Sequence, residues 1–294
     1  MTSWVERSRA HRATVPSSAG VARLSAALGE PVELEGPLHG GVAASTWAIR
    51  TPTRRLVLKR FRPDDDTGPL EWVRLQIAVD TPVPTPEPIA FDPDGEWFGV
   101  QSLVMSHLPG AVVYPPVVEE LARTLAALHS TVVPEPVPEE LRRPGLWTRW
   151  EQTAPVPDGV LDALADLLAI AERQEHVLCH CDFHPGNVLV ENGAVTGVLD
   201  WSSARFAPRA FDVALMRCDL AIEPGGDAPR QLLAAYEKAA GVRLEHLGAW
   251  DVLAAARAIE DGAGWVDAWS DAGVEMTAQK IHDRAWAFAE AALS

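Results

Sequence analysis

Residues 178–190 read LCHCDFHPGNVLV and residues 197–201 read GVLDW, which sets His180, Asp182, Asn187 and Asp200 in the pattern H-x-D-x4-N-x12-D. That acid and amide spacing is the one used by a phosphoryl-transfer loop of the kinase type. The flanks fit such a loop: Val177 and Leu178 lead in as a short apolar run, residues 188–190 lead out as another, and Pro185-Gly186 makes the turn between them. Asn192-Gly193 then separates two apolar segments, the strongest short signal for a hairpin. Asn187 and Asp200 are therefore expected at opposite ends of one hairpin, facing one metal ion.

Phosphoryl transfer from ATP requires a carboxylate near the acceptor hydroxyl and oxygen ligands that hold magnesium against the phosphates. Asp182 is the candidate to accept the hydroxyl proton, Asn187 to bind magnesium through its amide oxygen, and Asp200 to hold the metal at the terminal phosphates. His180 is expected to brace the loop. Asp and Asn beside Gly and Pro also serve as simple turn caps. Four residue types at this spacing, inside a strand, a loop and a hairpin, favour the catalytic reading. Cys179, His180, Cys181 and His184 invite a zinc reading, because thiolate and imidazole are preferred zinc ligands. On a strand, however, Cys179 and Cys181 share one face while His180 takes the other, and no second ligand pair follows at zinc spacing.

This stretch resembles the aminoglycoside phosphotransferase family of small-molecule kinases, whose usual form is HGDxHPGNxL followed by a hydrophobic residue, Asp and Trp. Cys181 stands where that family has Gly, and residues 202–209, SSARFAPR, depart from its acidic and Gly-Asp-Pro stretch. Asp212, in FDVA, matches the family's downstream Asp that helps brace the catalytic loop without binding metal. The resemblance implies an α+β, bilobal protein-kinase-like fold. Its small β-rich N-terminal lobe would span residues 1–108, after a polar leader over 1–18, and its larger, mainly helical C-terminal lobe residues 109–294.

The N-terminal half should then clamp a nucleotide. Residues 39–49, HGGVAASTWAI, resemble the family's Gly-Gly loop and strand, which makes Gly40, Gly41 and Ser45 candidates for nucleotide contact. Glycines let backbone amides approach phosphate oxygens, although Ala44 replaces the family's Asn and Gly pairs also make ordinary turns. LVLKRF at 56–61 reads as a strand, and a Lys inside it needs a partner unless it reaches solvent. Lys59 is the candidate phosphate-binding lysine. Glu71 is its expected partner, on a helix where Leu70, Val73 and Ile77 recur at helical spacing. Residues 97–110 follow an Asp94-Gly95 turn and end in Leu-Pro-Gly as the family's hinge does. By that resemblance the Ser106 carbonyl and Leu108 amide pair with adenine while Met105 lines its pocket.

At 294 residues the chain can hold two substantial cores, and 47% hydrophobic content is ordinary for a folded chain. Val117, Val118, Leu121, Leu125 and Leu128 mark one helix of the second half, and Leu161, Leu164, Leu167 and Leu168 another. Pro-rich runs at 81–88 and 133–138 break the chain, and no internal repeat is visible. Residues 1–18 carry Arg7, Arg9 and Arg12 without an apolar run, which suits neither a signal peptide nor a membrane helix. With only three cysteines, a cytoplasmic setting with reduced thiols is expected.

The formal charge of −16 is uneven: residues 1–108 carry 11 basic and 13 acidic side chains, a net −2, and residues 109–294 carry 14 and 28, a net −14. An acidic second lobe disfavours nucleic acid and would concentrate a cationic acceptor, though solvated acidic helix faces give the same count. Residues 260–271, EDGAGWVDAWSD, place carboxylates beside Trp265 and Trp269, a combination that suits hydroxylated or amine-bearing ligands and equally suits helix packing. The expectation is transfer of the γ-phosphate of ATP or GTP, with magnesium, to a hydroxyl of a small molecule: an aminoglycoside or other antibiotic, a sugar or an amino alcohol. No nucleic-acid or membrane partner is expected. A nucleotide-binding pseudokinase is the alternative, and intact Lys59, Asp182, Asn187 and Asp200 argue against it.

Overall fold

The computed structural model describes residues 4–38, 44–133, 136–142 and 173–294, with scattered positions between 156 and 170. Gly40, Gly41 and the helix expected around Leu161, Leu164, Leu167 and Leu168 lie outside the described residues.

Five antiparallel strands form one sheet: β1 (Glu33–Pro37), β2 (Ser45–Arg50), β3 (Arg55–Arg60), β4 (Pro88–Asp92) and β5 (Ser102–Ser106), in the order β1-β2-β3-β5-β4. Strand periodicity divides β3 between two jobs. Leu56 and Leu58 pack into a cluster with Leu24, Ile49 and Val104, while Lys59, one step out of phase, points to the opposite face.

The stretch expected as a polar leader over 1–18 contains helix α1 (Trp4–Arg12), and α2 (Ser18–Leu28) follows it. Ser17 caps α2 by accepting the Gly20 amide, and Gly29 ends it at φ 71° in the left-handed region. Leu24 of α2 is fully buried against the sheet. Helix α1 is held at the edge of the sheet by Arg62, which donates to Ser8 Oγ at 3.0 Å, and by His11 Nε2, 3.0 Å from the Arg60 carbonyl oxygen. Its Arg9 and Arg12 reach across to Asp267 at 2.9 and 3.2 Å.

The helix expected around Glu71 forms as α3 (Gly68–Ala78), but its inward face is rotated from the apolar stripe of Leu70, Val73 and Ile77. Gly68, Glu71, Arg74, Leu75 and Ala78 are the buried positions. Two charged residues turn inward because each has partners there: Glu71 meets Lys59, and Arg74 donates to the carbonyls of Glu140 and Ser202.

Beyond the sheet, α4 (Val118–Leu128) buries Leu121, Leu125 and Leu128 as its spacing predicts. Two short ladders follow, β6 (His176–Cys179) with β9 (Arg205–Pro208), and the hairpin β7 (Val188–Glu191) with β8 (Ala194–Val198). Asn192 and Gly193 turn that hairpin with both φ values positive, 52° and 81°, the twist a two-residue turn requires. Helices α5 (Arg209–Ile222), α6 (Ala228–Ala240), α7 (Leu247–Asp261), α8 (Val266–Asp271) and α9 (Ala278–Leu293) complete the chain. Phe211, Trp250, Leu253 and Ile281 centre their core. Among the described residues, no helix is long and apolar enough to cross a membrane.

Candidate active site

The loop between β6 and β7 is built around one buried carboxylate. Asp212, near the start of α5, accepts the backbone amides of His180 at 2.7 Å and Cys181 at 2.6 Å, and it meets His129 Nε2 at 3.2 Å. Both of its oxygens are spent, so it holds the loop's backbone and reaches no cavity. The contact also explains Cys181. Its φ of 62° lies in the left-handed region, where glycine is at ease and a Cβ costs about 1 kcal/mol.

His180 is fully buried between the rings of Trp201 and Phe183, with Nε2 2.9 Å from the Leu199 carbonyl oxygen. Burial lowers its pKa, which favours a neutral ring that donates to Leu199 and ties the loop to the end of the hairpin. Cys179 is buried too, its Sγ 3.4 Å from the Ala207 carbonyl oxygen. The thiol, His129 and Asp212 lie together, but the imidazole and carboxylate are already bonded within the loop's brace.

Asp182 emerges from this loop into a cavity of about 180 Å³ whose walls also include Asn187, Asp200, Asp219, Arg257 and Trp265. Asn187 Nδ2 donates to the Asp182 carbonyl at 3.0 Å and to its carboxylate Oδ2 at 3.2 Å. That orientation leaves the Asn187 amide oxygen unspent. The Leu199 amide donates to the Asn187 carbonyl at 2.8 Å, so the hairpin closes with Asn187 and Asp200 side by side, as its spacing requires. Asp200 sits at φ 60°. An amide oxygen and a carboxylate converging on one space are hard oxygen donors of the kind magnesium takes, and the pair fits that ion.

Lys59 joins the two halves of the site. Its Nζ lies 2.7 Å from both oxygens of Glu71 and 3.2 Å from Asp200 Oδ1. Burial disfavours its charge, but Asp200 and Glu71 outweigh that cost and hold its pKa above the ordinary lysine range. One ammonium then serves two carboxylates, and burial pushes Glu71 up to about 7 despite the pull of Lys59. Asp200 is held below its ordinary value: burial opposes its charge, and Lys59 prevails.

The hinge candidates follow β5. Met105 packs partly buried against the second core, and the Leu108 side chain lies over Gly197, where a Cβ would come within 2.9 Å of Leu108 Cδ1. Ser106 exchanges hydrogen bonds with Glu87, its Oγ accepting that residue's amide at 2.8 Å. Ser45 departs from its expected place. It is fully buried, and its hydroxyl accepts Arg60 Nη2 at 2.8 Å and Trp47 Nε1 at 3.2 Å, because the sheet needs a partner there for a buried guanidinium.

The residue that sequence reasoning missed is Arg257, on α7. Its Nη2 donates to Asp182 Oδ1 at 2.6 Å, and its guanidinium lies 5.4 Å from the Trp265 ring centroid. Burial favours a neutral Asp182, but Arg257, with His184 behind it, holds the carboxyl well below the usual range. In the 202–209 stretch that departs from the family's form, Arg205 donates to the Ser203 carbonyl and Arg209 to Glu175, and neither lines the cavity. In the 260–271 segment, Trp265, Trp269 and Asp271 line the cavity, while Asp267 is taken by Arg9 and Arg12. Trp269 also packs against Tyr114, with ring centroids 5.3 Å apart.

A strand-borne lysine paired with a helix glutamate, facing an Asp, Asn and Asp set on a braced loop and hairpin, defines a protein-kinase-like phosphotransferase. The sequence profile of the phosphotransferase enzyme family matches residues 36–256, and the chain belongs to that family. It is 28% identical over 240 residues to a homoserine kinase of Phenylobacterium zucineum, covering 71% of this chain and 72% of that one. A shorter match, 43% over 61 residues, links it to a hygromycin-B 4-O-kinase of Escherichia coli; it spans 20% of this chain and only 18% of that protein. The fold is shared with a crystal structure of a thermostable mutant of aminoglycoside phosphotransferase APH(4)-Ia in ternary complex with AMP-PNP and hygromycin B. That likeness has a TM-score of 0.62 at 20% identity, over 93% of this chain and 98% of that one.

Proposed function

We propose that this enzyme transfers the γ-phosphate of ATP, or of GTP, to a hydroxyl of a small molecule. The observation that carries the reading is the meeting of Lys59, Glu71 and Asp200 within one cluster that borders the cavity of Asp182 and Asn187. In this reading residues 1–108 hold the nucleotide, with Gly40, Gly41 and Lys59 toward its phosphates and the Met105, Ser106 and Leu108 hinge toward its base. Residues 109–294 hold the catalytic loop and the acceptor. Asn187 and Asp200 would hold magnesium, which supplies neutralising charge at the phosphates.

Asp182 receives the proton of the acceptor hydroxyl as its oxygen bonds to the γ-phosphorus and ADP departs. Glu71 fixes the ammonium of Lys59, and Asp212 and His180 fix the loop that carries Asp182. The acceptor would enter beside Trp265, Trp269 and Tyr114, where aromatic walls and the Asp219 and Asp271 carboxylates suit a hydroxylated or amine-bearing compound. An aminoglycoside, another antibiotic, a sugar or an amino alcohol all fit that description, as does a hydroxyl-bearing amino acid such as the homoserine named for one relative. Three buried free cysteines suit a cytoplasmic setting.

A coupled assay of ADP release, run with magnesium across hygromycin B, a kanamycin-like amine, a macrolide, a neutral sugar, ethanolamine and homoserine, tests the reading. Acceptor-dependent ADP release with at least one of these classes is the expected result. Nucleotide binding without turnover on any of them would instead favour a pseudokinase.

A further inference from the structure

A kinase whose base stands ready before its acceptor arrives transfers phosphate to water, so such a site benefits from a group that occupies the base until then. In this chain each oxygen of Asp182 already accepts a hydrogen bond. Oδ2 takes the Asn187 amide at 3.2 Å, and Oδ1 takes Arg257 Nη2 at 2.6 Å. The Asn187 contact belongs to the loop's own construction. Arg257 comes from α7, 75 residues further along, and stands among the cavity walls an acceptor would touch.

A guanidinium has five N–H donors and stays protonated, so Arg257 cannot leave Asp182 by losing its charge. Leaving would strand a partly buried cation unless another anion were near. Asp219, on α5, is that anion. It lines the same cavity, and its carboxylate makes no hydrogen bond with any described residue; burial raises its pKa, and the charges of His184 and Arg257 oppose that rise. Arg257 thus shares its cavity with two carboxylates, Asp182, which it holds, and Asp219, which no side chain holds among the described residues.

We propose that Arg257 is a latch on Asp182: it occupies the position that an acceptor hydroxyl must take on Oδ1, suppresses transfer to water, and passes to Asp219 when the acceptor binds. This rests on the phosphotransferase reading above. The suppressed reaction is hydrolysis, in which a water oxygen bonds to the γ-phosphorus and the bond from phosphorus to the β–γ bridging oxygen breaks. The electron pair leaves with ADP, and the water's proton passes to Asp182. Arg257 acts through Asp182 and is a positioning residue.

Release of labelled phosphate from ATP and magnesium without any acceptor tests the latch, with ATP affinity measured in parallel by calorimetry. Arg257→Ala should hydrolyse ATP about tenfold faster than the wild type, the worth of one charge-assisted hydrogen bond. Arg257→Lys, which keeps the charge but loses the fork, should fall between. Adding Asp182→Asn to Arg257→Ala should abolish the gain, and millimolar guanidinium chloride should slow Arg257→Ala back toward the wild-type rate, a rescue that a purely structural role would not give. Asp219→Asn, lacking the second carboxylate, should hydrolyse more slowly than the wild type. Arg257→Ala, or Arg257→Lys if the alanine variant does not fold, hydrolysing no faster than the wild type with ATP affinity retained overturns the latch. Asp219→Asn at or above the wild-type rate overturns the passage to Asp219. A wild-type chain that binds no ATP would sink the kinase reading itself, and the latch with it.

Discussion

Lys59 Nζ stands 3.2 Å from Asp200 Oδ1, a contact between residues 141 positions apart that joins the five-stranded sheet to the end of the β7–β8 hairpin. The same ammonium is bound by Glu71, so the three side chains form a ready frame for phosphates and their counter-ion.

Nucleotide binding should depend on magnesium, because Asp182 and Asp200 repel phosphate oxygens until a cation screens them. Calorimetric titration with ATP is expected to give clearly tighter binding with magnesium than with a chelator, and Asp200→Ala should remove most of that difference. Equal affinity under the two conditions would contradict the assignment of Asn187 and Asp200.

Asp182→Asn should keep nucleotide affinity within a few-fold and lower turnover by about 10²- to 10⁴-fold, the usual contribution of a positioned base. The comparison requires an acceptor found by the ADP-release panel. Unchanged turnover would assign the proton to another group.

Glu71 gives a pH dependence with a definite sign. Burial raises its pKa from the ordinary 4.5 to about 7, so across that window the folded chain holds a proton that the unfolded chain has released. Its contribution to stability is therefore complete below pH 4.5 and declines as pH rises to about 7. Glu71→Gln, neutral at every pH, should gain on the wild type by on the order of 1–3 kcal/mol between pH 5 and 7.5 in urea unfolding. A constant difference between the two proteins would refute the shift.

Asp212→Ala should destabilise the chain by about 3–5 kcal/mol, since it leaves two loop amides and the Nε2 of His129 without a partner in a fully buried place. Denaturant midpoints measure this directly. A loss below about 1 kcal/mol would mean that water or a neighbouring group replaces the carboxylate.

The catalytic loop was legible because its geometry is local: Pro185-Gly186 and Asn192-Gly193 fix the turns, and the spacing alone brings Asn187 beside Asp200. Lys59 and Glu71 were legible because burying an ammonium within an apolar strand demands a partner. Arg257 was not, since nothing within α7 announces that one of its residues meets a carboxylate 75 positions earlier. The inward turn of Arg74 on α3 was hidden for a related reason. Apolar periodicity assumes that charged residues face water, and Glu71 and Arg74 turn inward because their partners wait there. Ser45 matched a motif position, yet its hydroxyl serves the buried Arg60. Helix α2 did carry signals, with Ser17 as cap and Gly29 as stop.

Helix α1 touches both halves of the chain: Ser8 and His11 meet the end of β3 and the residues after it, while Arg9 and Arg12 meet Asp267. Arg9 and Arg12 on Asp267 add to the ties already made by Lys59 on Asp200 and by Arg74 on the Glu140 and Ser202 carbonyls. Separating the sheet from the helical half would have to break these ion pairs or carry α1 along with the helices. The pairs are partly exposed and individually weak, so ionic strength sets how often that linkage is released.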